Sequence, residues 1–217
     1  MGKNMVQQKE AHQICLEVFS EVFASISHEI KNTLAIINEH AGLLEDFALL
    51  GADEGTIEIS RVQKATAGIH KQVKRSNKIV QRMNMLAHST DRGRGPISGQ
   101  ELIGFCIELS EKKALAKNIT VRLECPAQVE IHHSLPILEA LLFLLLDKSY
   151  QLCSEGEEIV LSWQISGPQY SLQLAAKTLA SQGQKVVKDA AIASLATHLQ
   201  AKITPSPNGI TLQLNKD

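Results

Sequence analysis

The sequence predicts a chain in two parts, an N-terminal antiparallel helical hairpin and a C-terminal α+β sandwich, and three observations predict it. Apolar residues recur at heptad-like spacing along two long N-terminal stretches. A segment rich in Gly, Pro and Ser, DRGRGPISG at 91–99, then interrupts that periodicity. Beyond it, helical patterns mix with short strand-like runs, several in hairpin-like pairs. The predicted boundaries are 1–90 for the hairpin, 91–99 for a linker and 100–217 for the sandwich.

The first helix is predicted from about Ala11 to Leu50. Its seam is Phe19, Phe23, Ile26, Ile30, Ile37 and Leu44, with Thr33 and His40 at the intervening positions. GADEG, residues 51–55, supplies turn chemistry. A second seam then runs through Ile59, Val62, Thr66, Ile69, Val73, Ser76, Val80, Met83 and Ala87. Two helices alone leave much of such a seam in water, so two copies are expected to pair into a dimeric four-helix bundle. A monomeric hairpin packed on the second domain is the alternative.

The second domain is predicted to start near Gln100 with a helix, Glu101 to Lys117, and a strand, Ile119 to Glu124. A short strand around Val129 to Ile131 and a strongly apolar helix from Leu135 to about Cys153 follow. Next come strands Glu158 to Ile165 and Tyr170 to Ala175, a helix around Lys188 to Leu199, and a last pair, Lys202 to Thr204 and Gly209 to Leu214.

With 44% apolar residues in 217, the chain can bury ordinary cores. Lys+Arg at 22 against Asp+Glu at 23 gives a net charge of -1, which recommends neither nucleic acid nor an anionic membrane as partner. Cys15, Cys106, Cys125 and Cys153 are scattered, with no CxxC pair, as suits reduced structural thiols. The N-terminus lacks an apolar signal core. The longest greasy run, Ile137 to Leu146, contains Glu139 and is too short to span a bilayer. A soluble cytoplasmic protein is expected.

The candidate chemistry lies on the first helix. At about 100° per residue, His28 sits roughly 200° round from Ile26 and so faces solvent. Asn32 is one turn on, Ser25 and Lys31 are three residues to either side, and Glu29 is adjacent. A histidine with the ordinary pKa of about 6.5 is largely neutral at cytoplasmic pH, leaving a ring lone pair able to attack phosphorus. Glu29 could orient the ring or take up its proton, Asn32 could hold a water in line for loss of phosphate, and Lys31 could offset phosphoryl charge. The same residues also describe an ordinary solvated helix face. His132 and His133 adjoin a strand end without a second ligand cluster, so no metal site is predicted.

FASISHEIKNTLAII resembles the H-box of the histidine kinase dimerisation and phosphotransfer domain, and the resemblance extends in architecture over about residues 15–90. It implies that His28 is the phosphoacceptor, that Glu29 assists phosphotransfer and that Asn32 assists dephosphorylation of a partner receiver. Where many members carry a helix-bending Pro, this chain has Thr33. Family receivers dock beside the histidine, which makes Leu34 and Ala35 candidate contacts.

In that family an ATP-binding α+β domain of the Bergerat type follows. LLFLLLDKSYQLCSEGEEIVLSW resembles its N-box helix and next strand, but Lys148 stands where the Mg²⁺-holding Asn is expected, and an apolar residue near Leu144 replaces the earlier Asn. Ala176 lies nearest the adenine-reading Asp, and VVKDAAIASLA has no glycine for a phosphate loop. There is no P-loop pattern either. The expectation is therefore a degenerate ATPase-like domain with no bound cofactor and no ATP binding in the family manner.

The leading expectation is a two-domain histidine phosphotransferase of a phosphorelay. It would exchange a phosphoryl group between His28 and receiver aspartates, with Mg²⁺ in the partner receiver's own pocket. An upstream histidine kinase is a further candidate partner. The alternatives are an ATP-dependent autokinase with an unorthodox nucleotide site and a non-catalytic dimeric scaffold.

Overall fold

In the computed structural model, which describes residues 2–54, 57–92, 96–126 and 130–216, α1 runs unbroken over Gly2–Glu54 and α2 over Ile59–Arg92. The remaining elements are β1 (Ile97–Ser98), α3 (Gly99–Leu115), β2 (Thr120–Glu124), β3 (Glu130–Ile131), α4 (Leu135–Leu152), β4 (Glu158–Ser166), β5 (Gln169–Ala175), α5 (Lys177–Val187), α6 (Ala190–His198), β6 (Lys202–Ser206) and β7 (Gly209–Asn215). Two compact units result: residues 21–87, and residues 1–20 together with 88–217.

In residues 21–87 the two helices run antiparallel, as the cross-helix hydrogen bond from Ser76 Oγ to Thr33 Oγ1 (2.8 Å) and the stacking of Phe47 against Arg61 (6.0 Å) fix. Gly68 lies under His40, and an added methyl there would run into the imidazole. α1 runs through the first four residues of GADEG. Residues 51–54 are still helical, because Ala, Asp and Glu do not stop a helix by themselves, and Gly55 lies outside the described residues.

The first seam holds at Ile26 and Thr33, while the second turns inward one position away from the predicted Val80. Val22, Ile26, Thr33, Ala65, Ile79 and Leu86 are buried, whereas Phe23, Val73 and Val80 are exposed. A 3.6-residue period leaves two neighbouring heptad rows equally apolar on such a helix, and the hairpin contact takes only one of them.

Around residues 88–217 a five-stranded sheet of order β2-β4-β5-β7-β6 forms, parallel between β2 and β4 and antiparallel elsewhere. Strand alternation puts Ile159, Leu161, Trp163, Tyr170, Leu172, Leu174, Ile210, Leu212 and Leu214 in the core. Opposed pairs such as Trp163 with Leu172 and Leu172 with Leu212 set the register. α4 is hydrophobic almost all round, and thirteen of its eighteen residues are buried. The N-terminal stretch of α1 belongs to this unit as well: Ala11, Cys15 and Val18 are buried, and the Cys15 thiol lies 4.0 Å from the Pro136 carbonyl oxygen. The product is the α+β architecture that the sequence predicts.

Three elements differ from expectation. β1 lies inside the predicted linker and pairs antiparallel with β3, Ile97 opposite Ile131; Val129 and residues 93–95 lie outside the described residues. α5 occupies a stretch to which the sequence pattern assigns no element. Its buried positions Leu179, Gly183 and Val186 are helically spaced, and Gly183 is what lets it press on β7: a Cβ there would meet Ile210 Cγ2 at 2.7 Å and the Gly209 carbonyl oxygen at 2.9 Å. The helix predicted from Lys188 begins instead at Ala190, since Lys188 ends α5 and the Asp189 carboxylate caps α6, accepting from Ala191 N at 3.1 Å and Ile192 N at 3.2 Å.

Candidate functional site

His28 sits within α1 where the helix surface is polar, with Ser27, Lys31 and Asn32 also exposed. The i,i+4 spacing stacks Asn32 one turn beyond it, and the Asn32 side-chain nitrogen lies 3.2 Å from His28 Nδ1. Nε2 carries no part of this contact. Lys31 is exposed on the same side of the helix.

Glu29 is placed differently. One residue on is about 100° round the helix, and Glu29 Oε2 lies 3.9 Å from Arg75 Nη2 on α2. The structure thus joins His28 to Asn32 and Glu29 to Arg75. Nothing in the sequence singles out Arg75 beyond its adjacency to Ser76, a predicted seam position that antiparallel pairing carries to the level of Thr33.

Thr33 anchors the floor of the site. It is fully buried, its hydroxyl donates to the Ile30 carbonyl oxygen at 2.8 Å, and it accepts the Ser76 hydroxyl at 2.8 Å. A proline at 33 could do neither, and would remove the N–H that α1 keeps there. The helix bearing His28 therefore passes unbroken through residue 33. Leu34 and Ala35, one step on, are exposed.

The other histidines are engaged differently. His133 Nε2 lies 2.8 Å from the Asn215 carbonyl oxygen, and His88 Nδ1 lies 2.9 Å from Asp91. His40 lines a cavity of about 290 Å³ with Leu43, Phe47, Arg61, Lys64 and Ala65. Among the described residues no group of three or more His, Cys, Asp and Glu is arranged to hold a metal ion, and no helix is long and apolar enough to cross a membrane.

In the sandwich, Leu144 and Lys148 occupy the partly exposed face of α4. Lys148 Nζ pairs with Asp189 Oδ2 at 3.2 Å, and the neighbouring Asp147 pairs with Lys113 at 2.7 Å. Ala176 stands at the N-cap of α5 and donates its backbone N–H to the Asn208 carbonyl oxygen at 3.0 Å. A lysine already paired to an aspartate and an apolar methyl do not fit the Mg²⁺-nucleotide ligands that the H-box family places at these positions.

No family model matches the sequence, and no curated protein matches it. Solved structures with a similar chain path include a histidine kinase of Acinetobacter baumannii, AdeS, at 13% identity and TM-score 0.48 over 88% of this chain and 98% of that one. A histidine kinase from Burkholderia phymatum gives 14% and 0.45 over 88% and 97%. A bacterial phosphotransferase gives 14% and 0.44 over 91% and 95%. At such identities and scores the likeness carries no functional weight, and the chain's own residues must supply it.

Proposed function

We propose that this chain is a histidine phosphotransferase of a two-component phosphorelay, in which His28 accepts a phosphoryl group from a receiver aspartate and passes it to another. The observation that carries the reading is an exposed imidazole on a helix that runs unbroken past it, with one ring nitrogen held by Asn32 at 3.2 Å and the other unengaged by that contact. The protein's contribution is positioning and charge compensation. Lys31 is the cation nearest in sequence, and Arg75 reaches the adjoining Glu29 from α2, while Mg²⁺ belongs to the receiver's acidic pocket. The poor fit of Lys148 and Ala176 to a Mg²⁺-nucleotide supports a phosphoryl donor other than ATP.

A homodimer is part of the reading. The exposed row Ile59, Val73 and Val80 on α2, with Phe23 on α1, continues the heptad pattern beyond the intrachain contact, and a second copy would cover it as a four-helix bundle. Receivers would dock near Leu34 and Ala35.

The test is phosphoryl transfer to the full chain from a labelled phosphoreceiver and, separately, from labelled ATP with Mg²⁺, with His28→Ala alongside. Label from the receiver alone, absent in the variant, is the expected result. Label taken directly from ATP would make the protein an autokinase, and label that persists in His28→Ala would remove His28 from the chemistry.

A further inference from the structure

The near-zero net charge of the chain conceals a division between its two long helices. α1 carries three lysines against nine carboxylates, a net charge of -6, and α2 carries eight lysines and arginines against a single aspartate, a net charge of +7. At about 100° per residue the cations of α2 also share a face, with Lys64, Lys71, Lys74, Arg75 and Lys78 inside an arc of about 100°. All five are exposed. Among the described residues Lys71, Lys74 and Lys78 have no carboxylate partner, and Arg75 meets Glu29 at the long distance of 3.9 Å.

The hydroxyl contact of Ser76 with Thr33 sets α2 beside the part of α1 that bears His28, so Arg75 lands on the residue next to His28. Lys74 and Lys78 lie within one turn of Arg75. Val73 and Val80, in the apolar row left for a second copy, lie about 160–180° round α2 from Lys71, so a dimer formed there leaves the basic face open. The His28 face of α1 is opposite in sign. Glu21, Glu39 and Asp46 fall within about 20° of His28 round the helix and are exposed. A nucleic acid or an anionic bilayer laid along the basic face would also run beside that acidic row, whereas a folded protein can set its carboxylates against α2 alone.

We propose that the Lys71, Lys74 and Lys78 face of α2 is the docking surface for an acidic patch of the receiver. It fixes how the receiver is set on the hairpin, with carboxylates over α2 and the reacting aspartyl phosphate toward His28 on α1. This rests on the reading of His28 as phosphoryl acceptor and names the chemistry that the receiver's surface must present. Complementary charges at the rim of a contact act mainly on the association rate and make it depend on salt.

The experiment is stopped-flow association of the full chain, in a His28→Ala background that blocks transfer, with the unphosphorylated form of the receiver offered as donor in the transfer assay. Raising the ionic strength from about 0.01 to about 0.1 M, which shortens the screening length from about 30 to about 10 Å, should slow association of the parent. Lys74→Glu with Lys78→Glu should slow it about 10-fold at the lower salt, the bottom of the range for electrostatic steering, and flatten the salt dependence. Lys112→Glu with Lys202→Glu makes the same change in net charge at exposed positions of the sandwich and should leave association close to the parent's. Equal slowing by both pairs, or none by Lys74→Glu with Lys78→Glu, would overturn the proposal. So would duplex DNA or phosphatidylserine vesicles that bind the parent more tightly than the receiver does and are released by Lys74→Glu with Lys78→Glu. A receiver that docks through this face yet passes no label to an intact His28 would reject the proposed function and leave the docking surface standing. Transfer at the parent's rate and at low salt by Lys74→Glu with Lys78→Glu would reject the docking surface and leave the function standing.

Discussion

The two compact units treat their apolar residues in opposite ways. Within 88–217, Leu141, Leu145 and Leu172 have no accessible surface, and α4 is enclosed on nearly every side. Within 21–87 the buried positions among the described residues reduce to six, one of them Thr33, while Val73 stays 42% exposed and Ile59 71%. A two-helix hairpin has too few inward positions to enclose a core, whereas a sheet covered by helices on one face encloses one readily. The sandwich is thus complete as one copy. The hairpin, which carries His28, has an apolar row still uncovered.

The largest expected effects test that contrast directly. Leu141→Ala should destabilise the sandwich by about 2–5 kcal/mol, because the surrounding helices and sheet cannot collapse into the vacated space. Thermal unfolding followed by the fluorescence of Trp163, the chain's single tryptophan, reads that loss. The same truncation at Val80 should shift the Trp163 transition hardly at all, by about 0.5 kcal/mol or less. Val80→Glu should instead lower the sedimentation-derived mass from dimer to monomer and make the helical melt insensitive to protein concentration, which for the parent rises with concentration by mass action. A parent that sediments as a monomer at all concentrations would break the comparison, since the uncovered row would then be compatible with water.

A smaller effect concerns the hydroxyl pair that links the two helices of the hairpin. Thr33→Val removes the acceptor of the Ser76 hydroxyl and should cost about 1–3 kcal/mol in helical stability, since a part-buried donor loses its partner. Adding Ser76→Ala removes the orphaned group too, so the double variant should be less destabilised than the two single losses together. Strict additivity in urea unfolding would show that the 2.8 Å contact does not couple the helices.

These contrasts also mark what is legible in the sequence. The period of an apolar pattern is intrinsic to the chain, so the two long helices, α4, and strands β4, β5 and β7 follow from it directly. Phase is legible at Ile26 and Thr33 but not throughout, because choosing Val22 over Phe23, or Ile79 over Val80, depends on which of two apolar rows a second helix takes. His28 is singled out by its neighbours in sequence. Arg75 is not, since it reaches Glu29 only once hairpin register is fixed. The orientation of Glu29 toward Arg75 is likewise a tertiary fact. α5 escapes the pattern for a related reason: Gly183 reads as a breaker until β7 is seen against it, and Ala176 supplies no capping side chain.

That missing cap leads to the smallest predicted effect, a dependence on pH confined to the sandwich. Glu157, at the entrance to β4, does what Ala176 cannot: its carboxylate accepts from the Thr178 backbone N–H at 2.6 Å and from the Thr178 hydroxyl at 2.7 Å, at the first turn of α5, and from Ser154 N at 2.9 Å. Partial burial pushes its pKa up, but the hydrogen bonds from Thr178 and Ser154 outweigh this and hold it below the ordinary 4.5. Negative charge at a helix N-terminus adds to the same preference. A carboxylate whose folded pKa is lowered gives stability that is complete above its unfolded value and is lost as the pH falls through the folded one. The Trp163 transition should therefore weaken as the pH drops below 4.5, and Glu157→Gln should flatten that dependence while lowering stability at neutral pH. Because solvent screens much of a group this accessible, the change is small, and hydrogen exchange at the Thr178 amide is the sensitive readout. Faster exchange there in Glu157→Gln, with the amides around Thr33 unchanged, would place the effect at the α5 cap; equal acceleration at both would mean that the two units unfold together.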